Sequence, residues 1–181
     1  MELGCGKGTF ISKLSVKNPN INYIAVDIVD TMLGLAKRNV EMEFEKANRN
    51  IDNVFLVRHD VERIMLMIDE EKDMVDRIYI NFCNPWPKSK HKKRRLTYPT
   101  QLENYKRFLR KNGEIYFKTD DDELFDDSLE YFENNGFKII SKTYDLHEQN
   151  IFEDNIITEH EEMFSNEGIK IKALIAQFIN A

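Results

Sequence analysis

The chain has 181 residues, 41% of them hydrophobic and 32% charged, with a formal net charge of -6. That balance excludes a disordered or fibrous chain, and the length suffices to bury a core without disulfide or metal staples. No run approaches the roughly 20 apolar residues of a membrane helix, and Cys5 and Cys83 alone build neither a disulfide framework nor a four-ligand zinc site, so a reducing cytoplasm is expected and a membrane is not.

Met1-Glu2-Leu3 run straight into a glycine cluster. The chain is therefore expected to begin inside its first strand, clipped and weakened, and no basic, apolar export leader is read there. Phe10, Ile11 and Leu14 share one face of a first helix, and YIAV at 23–26 follows as a strand. Met32, Leu33, Leu35, Ala36 and Val40 mark a second helix, VFLV at 54–57 a third strand and DRIYINF at 76–82 a fourth. Leu102, Tyr105, Phe108 and Leu109 fit a helix stopped by Asn112-Gly113. EIYFK at 114–118 is the next strand, and Leu124, Leu129 and Phe132 fit a helix stopped by Asn135-Gly136. Strands at 137–141 and 169–176 complete the set. Periods of two and 3.6 alternating in this way predict βαβ units in one doubly wound, mostly parallel α/β sheet of seven strands, counting the clipped one. The chain shows no repeat and no linker, so a single domain over 1–181 is expected. The long irregular pieces, 83–99 and 144–164, are where function is expected.

The cluster Glu2-Leu3-Gly4-Cys5-Gly6-Lys7-Gly8 reads E-x-G-x-G-x-G. It is not a P-loop, because Lys7 precedes Gly8 rather than Ser or Thr, and it is not the dinucleotide fingerprint, whose third glycine comes one residue later. It is either a tight turn alone or a turn that lets a ligand approach the backbone. Asp27, ending the YIAV strand, stands where an acid bonds ribose hydroxyls, or is a plain strand-end acid. Asp60 accepts from an adenine amino group or caps a helix before Val61-Glu62. Together Glu2, Gly4, Gly6, Asp27 and Asp60 resemble the S-adenosylmethionine site of class I methyltransferases. That cofactor is a phosphate-free cation, which suits an acidic loop.

Asn81-Phe82-Cys83-Asn84-Pro85-Trp86-Pro87-Lys88 leaves the fourth strand, where ligands of such sheets sit. Trp86 either serves that site or plugs the loop onto the core. From Lys88 to Arg95 the chain reads KSKHKKRR, six bases and no acid; without them 20 bases face 32 acids, a balance of -12. A basic island on an acidic body is either a solvated face or a phosphate-binding strip.

The run N-F-x-N-P-W-P-K-x-K-H-K-K-R-R-L resembles the signature of bacterial tRNA (guanine-N7-)-methyltransferases. Phe117-Lys118-Thr119-Asp120 is similar to that family's F-x-T-D, and Thr158 to Phe164 to its T-x-x-E-x-x-F. The similarity runs from Glu2 to about Ala176. It implies a Rossmann-like class I methyltransferase, methylating guanine 46 of the tRNA variable loop. It implies cofactor contacts from Glu2, Asp27, Asp60 and Asn84 and substrate contacts from Lys88, Asp120, Thr158 and Glu161. RNA phosphates would be met by Lys90, His91, Lys92, Lys93, Arg94 and Arg95. Asn84 stands where the family usually has aspartate; as the catalytic candidate it offers a carbonyl oxygen in the carboxylate's place. Asp120 also suits the first turn of a helix, and Thr158 with Glu161 has the spacing of a capping box. His160-Glu161 is no zinc motif, since Phe164 takes the second histidine's place, and no metal is expected. An exocyclic-amine methyltransferase (Asn84-Pro85-Trp86 approximates Asp/Asn-Pro-Pro-aromatic) and a non-catalytic RNA-binding module stay open, as do monomer and homodimer.

Overall fold

The computed structural model describes residues 1–153 and 155–179. Along the chain β1 (Glu2–Leu3), α1 (Thr9–Lys17), β2 (Tyr23–Asp27), α2 (Asp30–Lys46) and β3 (Val54–Arg58) form the first half of the sheet. They are followed by β4 (Val75–Asn81), α3 (Pro99–Lys106), β5 (Leu109–Thr119), α4 (Asp122–Asn134), β6 (Phe137–Thr143), α5 (Glu159–Asn166) and β7 (Lys172–Phe178). Two 3-10 helices, Val61–Leu66 and Ser89–Arg94, leave the ends of β3 and β4. The seven strands form one sheet in the order β3-β2-β1-β4-β5-β7-β6. The pairs from β3 through β5 are parallel, and β7 runs antiparallel to both β5 and β6.

Alternation along the strands decides which side chains face which layer. Ile24, Val26, Ile78, Ile80, Ile115 and Phe117 point to one face and pack with Leu102, Tyr105 and Phe108 of the α3 region and Leu124, Phe125 and Phe132 of α4. Tyr23, Ala25 and Tyr79 point to the other, against Phe10, Ile11 and Leu14 of α1 and Val40 and Phe44 of α2. Each such fully buried side chain contributes about 1.5–3 kcal/mol. Gly8 caps α1 at φ 71, and a Cβ there would stand 2.7 Å from Ala36 Cβ, so α1 and α2 meet only because position 8 has no side chain.

β1 is as short as expected: Glu2 pairs with Ala25 and Tyr79, Leu3 with Val26, and the Met1 amine donates to Arg77 O at 2.7 Å. Three boundaries differ from the sequence reading. Asn112-Gly113 is no helix stop; α3 ends at Lys106 and both residues lie inside β5, Asn112 at φ 62 beside a register shift opposite Val75 and Arg77. β7 starts at Lys172 instead of position 169. The stretch 144–164 is not an open loop, because Leu146, Phe152 and Ile156 are buried and α5 begins at Glu159. Among the described residues no helix is long and apolar enough to cross a membrane.

Candidate cofactor and substrate site

The strand order puts the carboxyl ends of β1, β2, β3 and β4 side by side, and the candidate residues leave those ends. Gly4 N and Cys5 N both donate to Val26 O, at 2.8 and 3.0 Å, which folds the glycine loop over β2. Gly4 and Gly6 have φ of 75 and 52, and a Cβ on Gly6 would meet nothing within 4 Å, so this turn leaves open space against its backbone. Asp27 ties the loop down: Oδ2 accepts from Gly6 N at 2.8 Å and Oδ1 from Val29 N at 2.9 Å. Each carboxylate oxygen keeps a further lone pair for a ligand hydroxyl. Asp60 caps the 3-10 helix through Glu62 N at 3.0 Å and is half-buried.

Glu2 is 2% exposed. Its Oε1 accepts from Asn81 Nδ2 at 3.1 Å, and Oε2 has no hydrogen-bond partner among the described residues. Burial pushes the carboxyl up to about 8, against the opposing pull of Asn81, the chain amine and Lys118. An orphaned buried acid beside an open glycine turn fits a cationic ligand, so the residues present suit S-adenosylmethionine. Both thiols are raised by burial, Cys83 to about 12 and Cys5 further, so neither serves as a thiolate nucleophile.

The segment after β4 is sharply bent, with Phe82 at φ 51 and Trp86 at φ 44, a conformation that non-glycine residues adopt at a cost. Asn84 Oδ1 accepts from Trp86 N at 3.1 Å. The carbonyl oxygen expected to face a ligand thus also holds the turn, with a further lone pair left for that ligand. Phe82 stacks on His160 and touches Phe164, both at ring-centroid distances of 6.0 Å, which brings the N-F-x-N segment against α5.

On α5, Thr158 Oγ1 caps the helix through Glu161 N at 3.1 Å, as the capping-box spacing allows. The Glu161 carboxylate is directed inward instead, 2.7 Å from Lys118 Nζ, and the two side chains are 0% and 1% exposed. Asn155 Nδ2 and His147 Nε2 each lie 2.8 Å from its other oxygen. Glu161 thus spends both carboxylate oxygens inside the fold, whereas the Thr158 hydroxyl accepts from Glu161 N and keeps its own proton to donate. Asp120 follows β5, half-buried, and its carbonyl accepts from Lys172 Nζ at 2.9 Å.

The basic island divides in two. Lys88, Lys90 and Lys93 are exposed and His91 is half-buried, its ring 5.7 Å from that of Trp86. Lys92 is paired with Glu123 at 2.6 Å and Asp127 at 2.7 Å, and Arg94 with Glu62 at 3.0 Å. Arg95 departs most from the phosphate role: it is 0% exposed, its Nη1 is 2.5 Å from Asp127 and its Nε donates to Pro85 O at 2.6 Å. A buried guanidinium needs an acid, and α4 supplies one.

Sequence reasoning missed Lys118, Asn81, Asn155, His147 and Asp127. Only Lys118 carried a signal, a lysine inside the apolar run Ile115 to Phe117 of a central strand, which demands a buried partner. A groove of about 850 Å³ lies on the α1 face between Phe10, Tyr79, Tyr116 and Phe152 and reaches Asn81 and Lys118, but the glycine loop is not among its walls. The chemistry sits at the carboxyl rim, so the groove's size does not make it the site.

A family model described as "Putative methyltransferase" matches residues 1–174. A tRNA (guanine-N(7)-)-methyltransferase of Clostridium beijerinckii is 62% identical over 176 residues, which cover 97% of this chain and 80% of that protein. One from Clostridium botulinum is 57% identical over the same shares. The N-methyltransferase NodS of Bradyrhizobium japonicum, solved with S-adenosyl-L-homocysteine, superposes with a TM-score of 0.62 at 12% identity, over 99% of this chain and 76% of NodS, a likeness of fold. With its motifs gathered at one rim and more than half its residues shared with such relatives, the chain belongs to the tRNA (guanine-N7-)-methyltransferase family, enzymes that take their methyl group from S-adenosylmethionine.

Proposed function

We propose that the chain methylates N7 of a tRNA guanine in the cytoplasm, and that its target is guanine 46 of the variable loop. The observation that carries this reading is the junction of Phe82 with His160 and Phe164, which sets the segment after β4 and the α5 motif around one rim beside the glycine turn. S-adenosylmethionine supplies an electrophilic methyl group on a sulfonium. Guanine N7 has a lone pair and no proton, so no side chain must act as a base, and the rate comes from alignment and from the field at the purine. Glu2, Gly4, Gly6, Asp27, Asp60 and Asn84 hold the donor side. Lys88 and Asp120 border the nucleotide. Thr158 and Glu161 act as positioning residues, fixing α5 against β5.

The test is incubation of unmodified tRNA with methyl-labelled cofactor, then borohydride and aniline, which cut the chain at 7-methylguanosine. One cut in the variable loop is expected. A cut elsewhere removes the positional claim, and label without any cut selects the exocyclic-amine reading.

The exposed bases supply the phosphate contacts. Replacing Lys88, Lys90 and Lys93 together with alanine is expected to weaken tRNA binding and to flatten its salt dependence by about two to three units of log K against log salt. Cofactor affinity stays within about twofold, a ceiling of ~0.4 kcal/mol. Equal loss of both affinities would refute this division. Arg95→Ala, by contrast, is expected to act as a stability variant, costing about 1–3 kcal/mol in urea unfolding because Pro85 O loses its donor, while Asp127 keeps Lys92 at 2.7 Å.

A further inference from the structure

Of the two strands that flank β1, one can hydrogen-bond to the Glu2 side chain. β1 registers Glu2 with Ala25 of β2 on one flank and with Tyr79 of β4 on the other. The alanine methyl offers no hydrogen bond. On β4 the residue two positions past Tyr79 is Asn81, which closes the strand and registers with Lys118 of β5. Alternation therefore points Glu2, Tyr79, Asn81 and Lys118 to the α1 face, where Lys118 Nζ lies 5.5 Å from the centre of the Phe10 ring. There the half-buried Asn81 donates through Nδ2 to Glu2 Oε1 at 3.1 Å, and Oε2 is left without a partner among the described residues.

A glutamate side chain has several rotatable bonds, and a ligand that must freeze them loses affinity. The bond to Oε1 orients the carboxyl beforehand. In the neutral acid the proton sits on Oε2, since Oε1 already faces a donor. A cation against Oε2 displaces that proton, and Asn81 then donates to a carboxylate, a bond roughly twice as strong as one to a neutral acceptor. The Asn81 bond thus gains strength on binding, which is what a group that adds affinity must do. Building on the donor site proposed above, we propose that Asn81 is a positioning residue for S-adenosylmethionine, its amide fixing one oxygen of Glu2 so that the other meets the positive charge of the methyl donor. It acts through Glu2 and makes no contact of its own with the cofactor. Burial holds the Glu2 carboxyl at about 8, and the Asn81 bond is the first influence that opposes burial, ahead of the Met1 amine and Lys118, while Asp27 adds to the rise. Cys5 and Tyr79 also lie in the field of Glu2, and burial raises both the thiol and the phenol. All of these groups stay in place when Asn81 alone is changed.

The experiment is calorimetric titration of the full chain with S-adenosylmethionine between about pH 6 and about pH 9, with the wild type, Asn81→Leu and Asn81→Asp. Leucine has the same branching and no donor. At about pH 7 Asn81→Leu is expected to bind about tenfold more weakly than the wild type, and the pH at which affinity levels off is expected to move up from about 8. Asn81→Asp keeps the shape of the side chain and sets a second acid beside Glu2, so it is expected to move that point up as well. Its result stands even where Asn81→Leu disturbs the end of β4. In a Glu2→Gln background Asn81→Leu is expected to change affinity by less than about twofold, because the group that Asn81 positions can no longer ionise. A residue that only held the strand end would weaken binding by one factor at every pH and in both backgrounds, and that result overturns the inference. A levelling point unmoved in Asn81→Asp overturns it too. A wild type that does not bind S-adenosylmethionine overturns the donor site itself, and this inference with it.

Discussion

Lys118→Met is expected to lower folding stability by about 3–5 kcal/mol, because it leaves a carboxylate buried without its cation. Lys118 projects from β5, which lies between β4 and β7. Its ammonium meets three acceptors, Glu161 Oε2 at 2.7 Å, Asn155 Oδ1 at 3.1 Å and Ile156 O at 3.1 Å. Burial pulls the lysine toward its neutral form and the Glu161 charge pulls it back, and three acceptors around one ammonium decide for the ion pair. For Glu161, burial alone would push the carboxyl up, but the Lys118 charge and the hydrogen bonds from Lys118, His147 and Asn155 outweigh it and hold the group below its ordinary 4.5. That contribution to stability is present above the unfolded value of 4.5 and is lost as pH falls through the lower folded value.

The double variant Lys118→Met with Glu161→Leu is expected to regain most of that loss, since a buried pair and an apolar pair of similar volume often differ little. Urea unfolding of both variants at neutral pH measures this. A single-variant loss under about 1 kcal/mol would place the pair with ordinary surface bridges and not in the core. Because Thr158 and Glu161 dock the helix that carries His160 and Phe164, the same substitution is expected to lower methyl transfer before it unfolds the protein.

The strands and the glycine turn were legible because their signals are local. Period-two alternation in YIAV and VFLV and the spacing of Gly4, Gly6 and Gly8 read the same in any context. Asn112-Gly113 misled because the spacing of Leu102, Tyr105 and Phe108 extends past the point where the backbone turns extended, and Asn112 in the left-handed region serves a bulged strand as readily as a helix end. α5 was legible only at its start, in the capping-box spacing of Thr158 and Glu161, because Glu159, Glu161 and Glu162 give it no apolar stripe; its anchor is an ion pair to a strand residue 43 positions earlier. The basic island shows the same limit. Lys88, Lys90 and Lys93 look identical in sequence to Lys92, Arg94 and Arg95, and only the fold brings Asp127, Glu123 and Glu62 to the second group.

Affinity for S-adenosylmethionine is expected to rise about tenfold per pH unit below pH 8 and to level off above it, with Glu2 as the titrating group. Burial holds this carboxyl to about 8, so at pH 6.5 it is almost wholly protonated. A cation placed against Oε2 favours the carboxylate, so binding below pH 8 must release a proton, and the cost of that release grows as pH falls. Folding stability is the poorer readout. Glu2 ionises near 4.5 unfolded and about 8 folded, so its stabilising contribution is full below 4.5 and lost as pH rises through 8. Burial holds the neighbouring Met1 amine down to about 5 from 8.0, which contributes the opposite slope across almost the same window. The two nearly cancel in unfolding, whereas only the carboxylate pairs with the ligand. Calorimetry of cofactor binding at pH 6.5 in two buffers of different ionisation enthalpy is expected to count close to one proton released. Glu2→Gln, which keeps the acceptor for Asn81 and cannot ionise, should bind weakly at every pH with a flat profile. A Glu2→Gln protein that keeps the wild-type slope would assign the proton to another group and leave the orphaned oxygen without a role in binding.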